Sequence, residues 1–238
     1  MDFSQFRRFA DNPDTLPAGI CTFRALSDED CDWILRKAEE LHWYHSRIAR
    51  DHDVTYDAEA DIRNSLSLKP EEFLEHFPGL HDRLAETAIP KIKEYFQTEF
   101  ARLDGLHLIR YPEGGYFAVH TDRSPHFPDR IYSLICYVDD DYEGGETAFP
   151  GLEVMVKGRK GWGVVFPADL MHSGMPIVEG VKTIAVAFLE RRSLKETSDV
   201  RETAEAAGDA VDATPAPSDP GPTGSGPESD TSGSTQGP

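Results

Sequence analysis

The chain has 238 residues, enough for one domain or at most two, with 24 Lys and Arg against 43 Asp and Glu and a net charge of −19. Repulsion from that charge argues against a nucleic acid or an anionic membrane face as partner. There is no run of eighteen apolar residues, no apolar leader in the first twenty, and only three scattered cysteines (Cys21, Cys31, Cys136), so a soluble cytoplasmic protein is expected.

Residues 20–104 carry helical punctuation. Ser27, followed by Asp28, Glu29 and Asp30, has the form of an N-cap with acids in the first turn. Cys31, Ile34, Leu35, Ala38 and Leu41 recur at helical spacing, which predicts a helix to about His45. The polar stretch Ser46–Asp61 shows no period and is expected as a loop. Lys69-Pro70-Glu71-Glu72 opens a short helix through Phe77. A longer one is predicted from Pro78 to Phe100, with Leu80, Leu84, Ile92, Tyr95, Phe96 and Phe100 inward and Pro90 kinking or restarting it.

From Leu106 short β-branched and aromatic runs follow one another (LHLIRY, YFAVH, IYSLICYV, ETAF, LEVMV, WGVVF, KTIAVAFLE), several separated by Gly-rich turns. Seven or eight such strands argue for an antiparallel jelly roll, and helices first with strands after is the α+β pattern. A single domain over 1–194 is expected, its helical part at about 20–104 and its jelly-roll core at about 105–192. Residues 195–238 hold nine acids and two bases, no aromatic and no large aliphatic beyond Val211, and are expected to be a disordered acidic tail.

Chemistry concentrates in the strand half. In His120-Thr121-Asp122 the imidazole and carboxylate share one face of a strand. Alone that pair reads as an ordinary salt bridge. His172, fifty residues further on and just past GWGVVF, changes the reading, because a neighbouring antiparallel strand would return it to the pair. Two imidazoles and one carboxylate make the facial triad of non-haem Fe(II) oxygenases, with three metal positions open. The other histidines (42, 45, 52, 76, 81, 107, 126) read as ordinary surface or core residues. Lys182 opens the last apolar strand, and a cation there would suit the far carboxylate of a 2-oxo diacid chelating the iron.

Taken together, Leu106–Leu189 resembles the catalytic core of Fe(II)/2-oxoglutarate-dependent dioxygenases, in particular the prolyl 4-hydroxylase-like group. The resemblance is carried by Tyr111 and Gly115 ahead of His120 and Asp122, and by the strand Arg130–Tyr137. It continues in Gly144-Gly145-Glu146-Thr147-Ala148-Phe149 and in the closing run His172, Gly174, Pro176, Gly180 and Lys182. Arg63-Asn64-Ser65 echoes the family's R-T-S, with Asn64 departing from it. The resemblance implies a double-stranded β-helix (jelly roll) with the N-terminal helices packed on one sheet. It implies Fe(II) held by His120, Asp122 and His172, with 2-oxoglutarate and O2 as co-substrates. Lys182, aided by Tyr137, would pair with the far carboxylate of 2-oxoglutarate, and Tyr111 would sit near its chelating end. The implied reaction is hydroxylation of an unactivated C–H bond of an amino acid, a peptidyl side chain or a small natural-product intermediate, releasing succinate and CO2. Desaturation, epoxidation or ring closure would use the same residues. Arg63, Arg123 and Arg130 are candidates for gripping substrate, and Ser46–Asp61 and Arg123–Asp129 for lids. A silent jelly roll that binds metal or ligand as a sensor would show a broken ligand set, and none is seen. Oligomeric state is not readable from the sequence.

Overall fold

The computed structural model describes residues 6–9, 16–50, 54–57, 62–98 and 102–191. The N-terminal part contains strands as well as helices. In chain order it runs β1 (Arg7–Phe9), β2 (Cys21–Arg24), α1 (Asp28–Glu39), β3 (Tyr44–His45), β4 (Arg47–Arg50) and β5 (Val54–Asp57). It continues with β6 (Arg63–Asn64), β7 (Leu66–Ser67), α2 (Pro70–His76) and α3 (Leu80–Phe96).

Ser27 caps α1, its side-chain oxygen accepting the Asp30 N–H at 3.0 Å. The helix stops at Glu39, short of His45. The Ala38 carbonyl is taken by the Leu41 N–H and by Trp43 Nε1 at 3.0 Å, so the ladder turns out of register there. Ser46–Asp61 is not all loop, because β4 and β5 pair antiparallel with Ile48 opposite Tyr56. The β-favouring residues Ile48, Val54, Thr55 and Tyr56 are divided between two runs too short to show a period. Helix α3 begins two residues later than predicted, runs unbroken through Pro90 and ends at Phe96. Leu80, Leu84, Ala88 and Ile92 form its buried stripe. Tyr95, expected inward, is 44 % exposed, and its hydroxyl donates to the Ile20 carbonyl. Phe100 and the tail from 192 onward lie outside the described residues. No helix among the described residues is long and apolar enough to cross a membrane.

The strand half runs β8 (Arg102–Tyr111), β9 (Tyr116–His120), β10 (Arg130–Tyr137), β11 (Tyr142–Gly144) and β12 (Thr147–Phe149). It closes with β13 (Val154–Val156), β14 (Trp162–Pro167), β15 (His172–Gly174), β16 (Ile177–Gly180) and β17 (Lys182–Glu190). One sheet has the order β2-β14-β10-β17-β8-β7-β3 and the other β1-β13-β12-β15-β9-β6, with β11-β16 and β4-β5 as separate pairs. This is the expected α+β double-stranded β-helix. The strands β2, β3, β6 and β7 extend its two sheets, so the N-terminal part does more than cover it.

The seven-stranded sheet is buried on both faces, which is why its strands read as unbroken apolar runs. Leu134 and Cys136 of β10 and Ala185, Ala187 and Leu189 of β17 pack outward against α1, α2 and α3. Ile135 and Tyr137, and Ile184, Val186 and Phe188, point the other way into a second core shared with Phe149 and Val156 of the six-stranded sheet. The helices therefore cover one sheet, and the space between the sheets is left for chemistry.

Candidate active site

Antiparallel pairing of β15 with β9 sets His172 directly opposite His120, with their rings 4.2 Å apart. Asp122 lies just beyond the end of β9, where its N–H and that of Arg123 both donate to the Ala168 carbonyl at the turn between β14 and β15. The carboxylate reaches both imidazoles: Oδ1 is 3.5 Å from His120 Nε2 and Oδ2 is 3.4 Å from His172 Nε2. One ligating atom from each of the three lies within 4.8 Å of the others, as a single ion requires.

The tautomers suit a metal. His120 Nδ1 bonds the Ala118 carbonyl at 2.8 Å and His172 Nδ1 the Leu170 carbonyl at 3.0 Å. A carbonyl only accepts, so each Nδ1 carries the proton and each Nε2 offers its lone pair to the centre. Burial pushes the His172 imidazole down to about 4, against the pull of Asp122, which keeps it neutral near pH 7. Burial alone would raise the Asp122 carboxyl. The interactions with His120 and His172 and the hydrogen bond donated by the Ser133 hydroxyl overcome this and hold it well below the usual carboxylate range. Two neutral nitrogen donors beside an anionic oxygen make a donor set that suits Fe(II).

Lys182 starts β17 opposite Tyr111 on β8. Its ammonium is buried between the rings of Tyr137 (5.3 Å) and Tyr111 (5.6 Å) and donates to the Gly145 carbonyl at 2.6 Å. No carboxylate among the described residues pairs with it. A buried cation satisfied by one carbonyl is costly by itself and fits an incoming anion. Gly145 (φ 67°) lets that turn pass close by, since a Cβ there would run into Ile177 and sit 3.3 Å from the Lys182 side chain. The Tyr137 hydroxyl, expected to help Lys182 hold the far carboxylate, is hydrogen-bonded to Thr147 Oγ1 at 2.8 Å, and Thr147 lines the cavity.

Triad and Lys182 line one cavity between the sheets, walled by Ile109, Ile135, Ile184, Val186, Phe117 and Phe188. Phe117 stacks on His120 with ring centres 3.6 Å apart, and the Arg63 guanidinium lies over the Phe117 ring at 4.6 Å. Tyr111 and Arg63 line this cavity, the Tyr111 ring beside Lys182; Arg123 and Arg130 do not line it. Arg123 is exposed and donates to the Pro128 carbonyl. Arg130 lies against Phe127 and Phe188, at 3.8 and 3.5 Å, and reaches the Asp122 carbonyl.

Three cavity-side residues escape the sequence reading. His107 lines the wall with Nδ1 on the Gly105 carbonyl at 2.6 Å. Its signal was parity, for it shares β8's alternation with Ile109 and Tyr111. Thr147 sat inside a quoted motif without a role. Ser133, donating to Asp122 Oδ2 at 2.6 Å, is a hydroxyl on an otherwise apolar strand face.

A sequence profile of the 2OG-Fe(II) oxygenase superfamily matches residues 106–190, the span that contains every one of these groups except Arg63. Over that span the chain is similar to that superfamily. Oxygenases of this kind use Fe(II), 2-oxoglutarate and O2, and the protein is an enzyme of this class, prolyl hydroxylase-like. A mimivirus protein (Acanthamoeba polyphaga mimivirus), named as a candidate prolyl 4-hydroxylase, is 23 % identical over 178 residues, covering 66 % of this chain and 70 % of that protein. Among solved structures, the viral collagen prolyl hydroxylase of Paramecium bursaria Chlorella virus-1 aligns with a TM-score of 0.53 and 20 % identity, over 74 % of this chain and 97 % of that one. A Pseudomonas putida prolyl-4-hydroxylase gives 0.53 and 18 %, over 74 % and 94 %. A Trichoplax adhaerens prolyl hydroxylase, solved with a hypoxia inducible factor peptide fragment, gives 0.58 and 15 %, over 76 % and 86 %. At these identities the structures speak to the fold.

Proposed function

We propose that this oxygenase hydroxylates an unactivated C–H bond of an amino acid, a peptidyl side chain or a small natural-product intermediate. The observation that carries the reading is the buried Lys182 ammonium, unpaired with any described carboxylate, in the same cavity as a complete two-histidine, one-carboxylate set. His120, Asp122 and His172 would hold Fe(II), and Lys182 would take the far carboxylate of 2-oxoglutarate. When bound, iron, 2-oxoglutarate and O2 supply the oxidant, with succinate and CO2 released. The complete ligand set speaks against a silent binding module.

Strand register supplies a ruler for where substrate would lie. Lys182, Ile184, Val186 and Phe188 alternate along the inner face of β17, opposite Tyr111, Ile109 and His107 of β8. At about 3.4 Å per residue, His107 and Val186 stand roughly 13 Å from Lys182 along the strands. A five-carbon diacid, with four C–C bonds of about 1.5 Å, is too short to reach them. The His107 and Phe188 end is thus the substrate end, with apolar walls for the reacting carbon and the His107 imidazole for its substituents. The hypoxia inducible factor peptide bound by the Trichoplax relative supports a peptidyl substrate.

The test is succinate formation from 2-oxoglutarate under air, with Fe(II), against a panel of free amino acids and short prolyl peptides. We expect one class to raise turnover at least tenfold over the substrate-free rate, and His172→Ala to abolish it by breaking the ligand set. Full activity in His172→Ala would rule out the metal assignment.

A further inference from the structure

Ser133 is a polar residue at an apolar position. On β10 it shares the inner face with Ile135 and Tyr137, is fully buried, and has Phe166 and Phe188 as cross-strand neighbours. Its hydroxyl donates to Asp122 Oδ2 at 2.6 Å, within the range of a charge-assisted O–H···O⁻ bond. The two carboxylate oxygens are therefore not equivalent. Both face the imidazoles, Oδ1 toward His120 Nε2 at 3.5 Å and Oδ2 toward His172 Nε2 at 3.4 Å, but only Oδ2 is also tied to the strand behind it.

We propose that Ser133 is a positioning residue that restricts Asp122 to binding iron through one oxygen, Oδ1, and so keeps a metal position open for O2. The proposal rests on the triad reading above. Six positions on the metal less three protein ligands leave three, and 2-oxoglutarate takes two. If Asp122 bound through both oxygens, it would occupy the last one. With its partner on β10 removed, Oδ2 would be a buried, unsatisfied anionic oxygen beside the metal, and turning onto it would be the nearest way to satisfy it.

Nitric oxide, a diatomic that binds Fe(II) where O2 would, reads the open position without any substrate. Wild type, Ser133→Ala and Ser133→Thr are loaded anaerobically with Fe(II) and 2-oxoglutarate. The visible charge-transfer band of the chelate reports 2-oxoglutarate, and the electron paramagnetic resonance signal of the nitrosyl adduct reports the open position. We expect an unchanged band in all three, nitric oxide affinity about tenfold weaker in Ser133→Ala, and recovery in Ser133→Thr, which keeps the hydroxyl. Equal nitric oxide affinity in Ser133→Ala and wild type overturns the role. So does loss of both the band and thermal stability in Ser133→Ala, which marks a merely structural hydroxyl. A wild type with no band at all fails differently, by removing the triad and 2-oxoglutarate reading on which this proposal stands.

Discussion

Lys182 holds its charge where burial penalises it, and its pKa is pushed down to about 8 despite the attraction of Asp139 and Glu146. Near pH 7 the ammonium persists; above about 8 the free enzyme loses it. Binding of a carboxylate then requires that proton to return, so the dissociation constant for 2-oxoglutarate should be flat below pH 8 and rise about tenfold per pH unit above it. Lys182→Arg, which stays charged, should flatten the profile. Titrating 2-oxoglutarate anaerobically between pH 7 and 9.5 checks this, and a flat wild-type profile would show that Lys182 does not carry the interaction. At this same scale the sequence was legible where motifs had fixed spacing, as for His120, Asp122, His172 and Lys182. Ser133 was not legible, because a serine on a strand acquires meaning only when the fold shows what lies opposite it. The Tyr137–Thr147 bond is equally invisible in the sequence, since the two residues meet only when their strands are assembled.

Elements were readable to the extent that their signals are local. The Ser27 cap, the α2 start at Pro70 and the stripe of α3 follow from neighbours within a turn or two. The strands β3, β6 and β7 are two residues each and exist only because β7 pairs with β8 and β3 in turn with β7, while β6 pairs with β9. No periodicity can announce a pairing that distant. The division of labour between faces is also an element property. Leu84, 1 % exposed on α3, belongs to the outer core, on the side of the sheet away from the cavity. Leu84→Ala should cost about 2–5 kcal/mol of stability yet leave 2-oxoglutarate affinity of the folded fraction within about twofold. Denaturant unfolding and anaerobic titration measure the two quantities separately. A large loss of affinity at wild-type stability would mean that the helices shape the site and do not merely cover the sheet.

At the scale of the whole molecule, two cores share one sheet. The outer core fixes β8, β10, β14 and β17 against the helices, and the inner one leaves a cavity lined by the triad and Lys182. Residues from Tyr111 to Lys182, far apart in sequence, meet because β15 returns to β9 and β17 returns to β8. A pattern of motifs can reveal that they belong together, whereas the meeting of Arg63, His107 and Phe188 from three separate strands at one cavity needed the assembled sheets. The central claim is that one cavity holds Fe(II) at the triad and 2-oxoglutarate between it and Lys182. The most direct measurement is anaerobic addition of Fe(II) and 2-oxoglutarate to the metal-free protein while watching for the weak visible charge-transfer band of the chelate, with Lys182→Ala alongside. A band in wild type that needs far more 2-oxoglutarate to form in Lys182→Ala is the predicted result. A folded, iron-binding wild type that shows no band would contradict the claim.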